Sequence, residues 1–230
     1  MLLTSQKIDG NITVLFEYFK LEKMVEMKQE TQTREILLKI AKLEFMEKGY
    51  ASASLRSICK KAGVTTGALY FFFKDKEDLF GSLVKEPLET LYRLMKQHYQ
   101  EEIADIEKLS FEIKDMKNDF DSAKMVVNFM YHYHDEFLLL LTKAQGSKYE
   151  TCFDDFVDIS EKHYRILSDR ISESYHLPKI DDYTIHWCSH VQIFTFAHFI
   201  THGLPRSEAE AQIDVMVKFM VNGWFSIWTE

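Results

Sequence analysis

Ser54-Leu55-Arg56-Ser57-Ile58-Cys59-Lys60-Lys61-Ala62-Gly63-Val64-Thr65-Thr66-Gly67-Ala68-Leu69-Tyr70-Phe71-Phe72-Phe73-Lys74-Asp75-Lys76-Glu77-Asp78-Leu79 is the run on which the rest of the chain is read. Ser54 is an N-cap residue type, and Leu55, Ile58 and Ala62 behind it share one face of a short helix that Gly63 ends. Thr65 is a second N-cap. Val64 before it and Leu69 at the fourth helical position can form a hydrophobic staple, which fixes the angle at which the chain enters the next helix. Leu69, Phe72 and Phe73 then point inward at i, i+3 and i+4, while Thr66, Gly67, Tyr70, Phe71 and Lys74 point outward. Asp75, with Asp78 at the third position, starts a further helix from Lys76 to about Gln100. Two short helices joined by a tight Gly-containing turn and braced by a longer one make a helix-turn-helix.

Working outward, Leu37, Ile40, Ala41 and Phe45 recur at helical spacing over Thr31 to Lys48, with Gly49 as the stop. Downstream, helices are expected over about 119–142, 148–174, 181–203 and 207–228, broken at Gly146, around Pro178 and at Gly203-Leu204-Pro205. Ser207 and Glu210 have the spacing of a capping box for the last helix. The charged stretch Glu101 to Asn118 reads as a helix end and linker. No internal repeat is evident.

Composition agrees with an all-helical chain. Only 8 Gly and 3 Pro occur in 230 residues, against 46% apolar and 28% charged residues, which disfavours disorder and loop-rich β architectures. The 3 cysteines, Cys59, Cys152 and Cys188, are far apart and in no metal-ligand spacing, which suits a reducing compartment. No apolar run approaches the ~20 residues of a membrane span. The N-terminus, with Asp9 and Glu17 around a short apolar patch, does not read as a secretory leader, so the expectation is a cytoplasmic protein with no membrane partner. Net charge is −8, yet Lys28 to Lys76 carries ten basic and five acidic residues. One end can therefore meet a polyanion that the remainder repels.

The quoted run, together with Phe45 and Gly49-Tyr50 ahead of it, resembles the DNA-binding signature of the TetR family of transcriptional regulators. The Gly-Val-Thr turn, the Leu-Tyr pair, the aromatic residue before Lys74 and the Lys-Glu-x-Leu start of the next helix stand in the family's order and spacing. The resemblance implies an all-α fold: an N-terminal three-helix DNA-binding domain over residues 28–76, then a helical ligand-binding and dimerisation bundle over residues 77–230. Residues 1–27 form an N-terminal extension, either an extra helix or the product of an upstream start. Carried over by position, the resemblance makes Thr66, Tyr70 and Lys74 DNA contacts on the recognition helix and Ser54 and Arg56 phosphate contacts from the helix before it. Thr65, Gly67 and Phe71 complete the candidate surface. Phe72 departs from the His or Tyr common at its position, which withdraws a polar backbone contact there. The implied partners are a pseudo-palindromic double-stranded operator, a second copy of the chain and a small effector.

The residues themselves support part of this. Positions 66, 70 and 74 fall on one face, and a helix N-terminus with free amides favours phosphate. The recognition helix lacks the Arg, Asn or Gln that make bidentate base contacts, so Phe71 is expected to touch thymine methyl groups and to favour A·T-containing half-sites. Aromatic residues make up 14% of the chain and many follow residue 120. Phe129, Tyr133, Phe153, Phe156, His186, His190 and Phe194 are the candidate lining of a pocket for an apolar or aromatic effector. His198, Ile213, Met216, Val217, Met220 and Trp224 are the candidate dimer surface, because the last helix carries too broad an apolar stripe for one neighbour.

Eight of the 9 histidines follow residue 130, four of them on one helix. The pairs His186/His190 and His198/His202 have i, i+4 spacing, but four-residue steps drift by about 40° each and spread the set too widely for one site. No metal or other cofactor is therefore assigned. No phosphate loop, zincin motif or nucleophile elbow is present, and an enzyme is not expected. Two other readings fit a helical chain of this kind: the same fold serving a protein partner, and a small-molecule or metal-binding bundle.

Overall fold

The computed structural model describes residues 6–104 and 117–228. Among them the regular structure is helical throughout: α1 (Gln6–Ser52), α2 (Leu55–Ala62), α3 (Thr66–Phe72), α4 (Lys76–Ala104), α5 (Lys117–His132), α6 (His134–Thr142), α7 (Cys152–Tyr175), α8 (Asp182–Thr201) and α9 (Arg206–Phe225), closed by a 3₁₀ turn at Ser226–Trp228.

Local chemistry sets most of the boundaries near the N-terminal end. Ser54 accepts a hydrogen bond from Ser57 N at the start of α2, and Gly63 ends that helix at φ 70°, a left-handed value that glycine takes without Cβ strain. Thr65 Oγ1 accepts from Ala68 N at 3.1 Å. Asp78 N donates to Asp75 Oδ1 at 2.8 Å, and Asp78 in turn accepts from Lys74 N, so the two carboxylates fix the start of α4. Inside, Leu37, Phe45, Ile58, Leu69, Phe73, Leu79 and Phe80 are buried in one cluster that continues through α4 into α6, α7 and α8. The helix-turn-helix and the bundle thus share a core.

Several boundaries differ from the sequence expectation. The first helix begins at Gln6 rather than Thr31; Gly49 breaks it as expected with non-helical angles (φ 73°, ψ 164°), a bend after which three helical residues follow. The bend lets Tyr50 N donate to Lys143 O, tying α1 to the end of α6. The helix expected over 119–142 is two helices, α5 and α6, bent at Tyr133 (φ −111°, ψ 40°); Tyr133 N→Phe129 O and Phe137 N→Tyr133 O keep the bend short. α7 begins at Cys152, four residues after the expected start. No capping box opens α9: Pro205 precedes it without a side-chain cap, and Glu210 pairs with Arg206 Nε at 2.9 Å. With Pro205 at the N-cap position, Ser207 lies inside the first turn, where it cannot cap the helix. Most of the expected linker 101–118 lies outside the described residues, but 101–104 continue α4 and α5 begins at Lys117.

Candidate nucleic-acid interface and effector cavity

α3 presents opposite chemistry on its two sides. Leu69 and Phe73 face inward and are fully buried, with Arg34 of α1 lying over the Phe73 ring at 5.4 Å. Thr66, Gly67, Tyr70, Phe71 and Lys74 are all exposed, Tyr70 by 54% and Phe71 by 69%. Phe72 is half-buried and meets Phe71 edge to face. Phe72 therefore joins the packing on which the outer face rests, and Phe73 ends the helix as its extended C-terminal cap. Ser54 and Arg56 are exposed on the neighbouring α2. Thr65 is exposed but its hydroxyl is committed to capping α3.

Ion pairing divides the lysines of this end. Glu44, wholly buried, takes Lys48 Nζ at 2.6 Å, Lys61 Nζ at 2.7 Å and the Ser57 hydroxyl at 3.0 Å. These partners hold its carboxyl down at about 2 against the usual 4.5. Lys42 is engaged by Glu136 of α6. Arg56, Lys60 and Lys74 carry no ion pair among the described residues and stay on the surface. A Cβ on Gly67 would meet only Thr65 Oγ1 at 3.8 Å, an ordinary contact, so space within the free protein does not demand glycine there.

In the bundle, a cavity of about 150 Å³ lies among α4 to α9. Its walls are mainly apolar, from Leu91, Met95, Met130, Phe156, Ile193, Phe196 and Val217 among others, and its polar groups are His98, Tyr99, Glu102, Asp119, Ser122, Tyr164 and Gln192. Of the seven pocket candidates drawn from sequence, Phe156 alone lines it. Phe129 packs against Phe137 and Tyr133, Tyr133 sits at the α5–α6 bend, and Phe153 lies 6.2 Å from the His190 ring. His186 and Phe194 are exposed, and His186 Nδ1 lies 2.8 Å from Glu161 Oε2.

The dimer candidates are also largely redirected. Ile213, Met216, Val217 and Trp224 are buried within the subunit, and Val217, Met220 and Trp224 line the cavity. Side chains already packed against their own chain leave nothing for a partner. What α8 and α9 leave outside is a different stripe: Tyr183, Trp187, Phe194 and His198 on α8, Val215 and Phe219 on α9. Among the described residues no group of three or more His, Cys, Asp and Glu is placed to hold a metal ion. No described helix is long and apolar enough to cross a membrane.

None of the polar groups of the cavity was among the pocket candidates drawn from sequence. His98 and Glu102 continue the α4 stripe of Leu91 and Met95 at i, i+3, i+4 spacing, a signal that the charged character of residues 101–118 obscured.

A short α2, a capped turn and an exposed α3 backed by a buried Leu69/Phe73 face define a helix-turn-helix protein. Residues 37–83 match the model of the bacterial regulatory proteins of the tetR family. It is 51% identical over 57 residues to the HTH-type transcriptional regulator AcrR of Shigella flexneri, covering 24% of this chain and 26% of that protein. It is 26% identical over 164 residues to the HTH-type transcriptional repressor KstR2 of Mycolicibacterium smegmatis, covering 66% of this chain and 72% of that protein. The match spans about a quarter to a third of the length of the first three curated relatives. The whole fold is similar to NalD of Pseudomonas aeruginosa (TM-score 0.54, 19% identity, 85% of this chain and 97% of that one) and to the TetR-family regulator PfmR of Thermus thermophilus (0.55, 18%, 81% and 94%).

Proposed function

We propose that this protein is a DNA-binding transcriptional regulator, a repressor acting as a homodimer, whose C-terminal bundle binds a small molecule that alters its grip on DNA. The single observation that carries the reading is the two-sided α3: a buried Leu69/Phe73 side holds the helix rigid, and the opposite side offers Thr66, Tyr70, Phe71 and Lys74 to solvent. Such a face suits the major groove, with Tyr70, Lys74, Ser54 and Arg56 on phosphates and Phe71 against thymine methyl groups. A single helix-turn-helix has little area, and dimeric readers set two recognition helices about one turn of DNA apart. The exposed stripe on α8 and α9 is the surface we assign to the second copy, in an isologous contact.

α4 links the two halves mechanically. Three residues separate it from α3, and it carries His98, Tyr99 and Glu102 into the cavity some 22 to 26 residues after its start, roughly 33 to 39 Å along one helix at 1.5 Å per residue. A molecule that fits the cavity in only one of two α4 positions biases the separation of the recognition helices. A gel shift on the protein's own upstream region tests the core of this reading. Wild type is expected to shift it at near-physiological salt, and Lys74→Ala and Tyr70→Phe to weaken the shift. Equal binding by wild type and both variants would refute the assigned face, and low salt alone would not discriminate.

A further inference from the structure

We propose that the cavity of the bundle takes a small single-ring organic cation bearing a hydrogen-bond acceptor, with Glu102 and Asp119 receiving the ammonium group and Trp224 donating to the acceptor. The proposal rests on the effector reading above and narrows it to a ligand class.

Three observations carry it. First, both charged side chains that line the cavity among the described residues are carboxylates, Glu102 from α4 and Asp119 from α5, with no Lys or Arg opposite them. A carboxylate ligand would meet like charge in a poorly solvated space, whereas an ammonium group would gain charge-assisted hydrogen bonds. Second, neither acid pairs with a Lys or Arg among the described residues. Glu102 Oε2 lies 2.8 Å from Nε2 of the buried His163, whose ring stacks on Tyr99 at 3.9 Å, and His98, with Ser122 on its Nδ1, is held below its usual protonation range by burial. Asp119 is pushed up to about 6 by burial and by Glu102, the direction expected for a carboxylate that lacks a cation. Third, Trp224 is 9% exposed, lines the same cavity, and its indole Nε1 has no hydrogen-bond partner among the described residues. A buried donor left unpaired is costly, and an acceptor on the ligand would satisfy it. The volume limits the ligand to about one ring, since an apolar cavity of this size holds benzene.

Isothermal titration calorimetry on the full-length protein tests the class with four probes of one shape: tyramine (cation with acceptor), phenethylamine (cation alone), para-ethylphenol (neutral) and para-hydroxyphenylpropanoate (anion). Tyramine is expected to bind at least about ten-fold more tightly than the phenol or the propanoate, with phenethylamine between, a factor worth about 1.4 kcal/mol. Glu102→Gln with Asp119→Asn should bring tyramine and para-ethylphenol within about three-fold of each other, and Trp224→Phe should erase the advantage of tyramine over phenethylamine. The wild-type ranking needs no variant and decides alone if a variant does not fold. A phenol or carboxylate that binds as tightly as the amine would overturn the cation class while leaving the effector reading standing. Failure of all four probes to bind would overturn the cavity as a site for such molecules altogether.

Discussion

Glu44 shows how single residues hold the DNA-facing end in shape. It is buried at the junction of α1 and α2, ties down Lys48, and reaches Lys61 and Ser57 of α2, so its loss removes the polar contacts between the two helices. Glu44→Gln is expected to cost about 1–3 kcal/mol, read as a lower midpoint in urea denaturation. The pH dependence has a definite sign. The folded carboxyl titrates at about 2 and the unfolded one near 4.5, so its contribution is complete above 4.5 and drains away as pH falls toward 2. The acid limb of the stability curve should therefore flatten in Glu44→Gln over that window, and an unchanged limb would place the acid sensitivity elsewhere. Gly67 separates folding from binding. Alanine meets no steric conflict there and is the better helix former by up to about 1 kcal/mol, so Gly67→Ala should melt no lower than wild type. If the α3 backbone lies against DNA, the same variant should weaken the gel shift; tighter or equal binding would move the backbone away from the duplex.

Among the elements, α4 carries the most constraint because it touches both the helix-turn-helix and the cavity. Near its start Gly81 lies against the buried Tyr149, and a Cβ added there would come within 2.6 Å of the Tyr149 hydroxyl. Gly81→Ala is expected to lose about 1–3 kcal/mol through overpacking, and Tyr149→Phe in the same chain should recover much of it, a coupling that differential scanning calorimetry of the four proteins measures. Additive losses would mean that the close approach is relieved elsewhere. How far each element could be read in advance follows the reach of its signals. α2, α3 and the start of α4 are set by caps and by a glycine at positive φ, all within four residues, and the sequence marks each. The bend at Tyr133 has no such marker: its hydrogen bonds continue across it and no Gly or Pro is present. Ser207 and Glu210 carried the right spacing for a cap, but Pro205 occupies the position that a cap needs and Arg206 claims the glutamate. On α9, Ile213, Met216, Val217 and Trp224 were legible as an apolar stripe; that they face their own bundle and leave Val215 and Phe219 outside is decided by α5 and α8, which lie far away in sequence.

At the scale of the whole molecule, reading two half-sites requires two copies of the chain. Phe219, 68% exposed on α9, is a test position, because replacing it costs no internal packing. Phe219→Glu is expected to leave helicity and melting intact, to shift sedimentation from dimer to monomer and to weaken operator binding together with assembly, since two half-sites then no longer share one protein. A variant that remains dimeric would put the interface on another face. The central claim is that a symmetric pair of α3 helices occupies the major groove. Hydroxyl-radical footprinting of the protein's own upstream region tests it most directly. Two protected patches about 10 base pairs apart, lost together in Lys74→Ala, are the expected result. A single patch, or a footprint unchanged by Lys74→Ala, would contradict it.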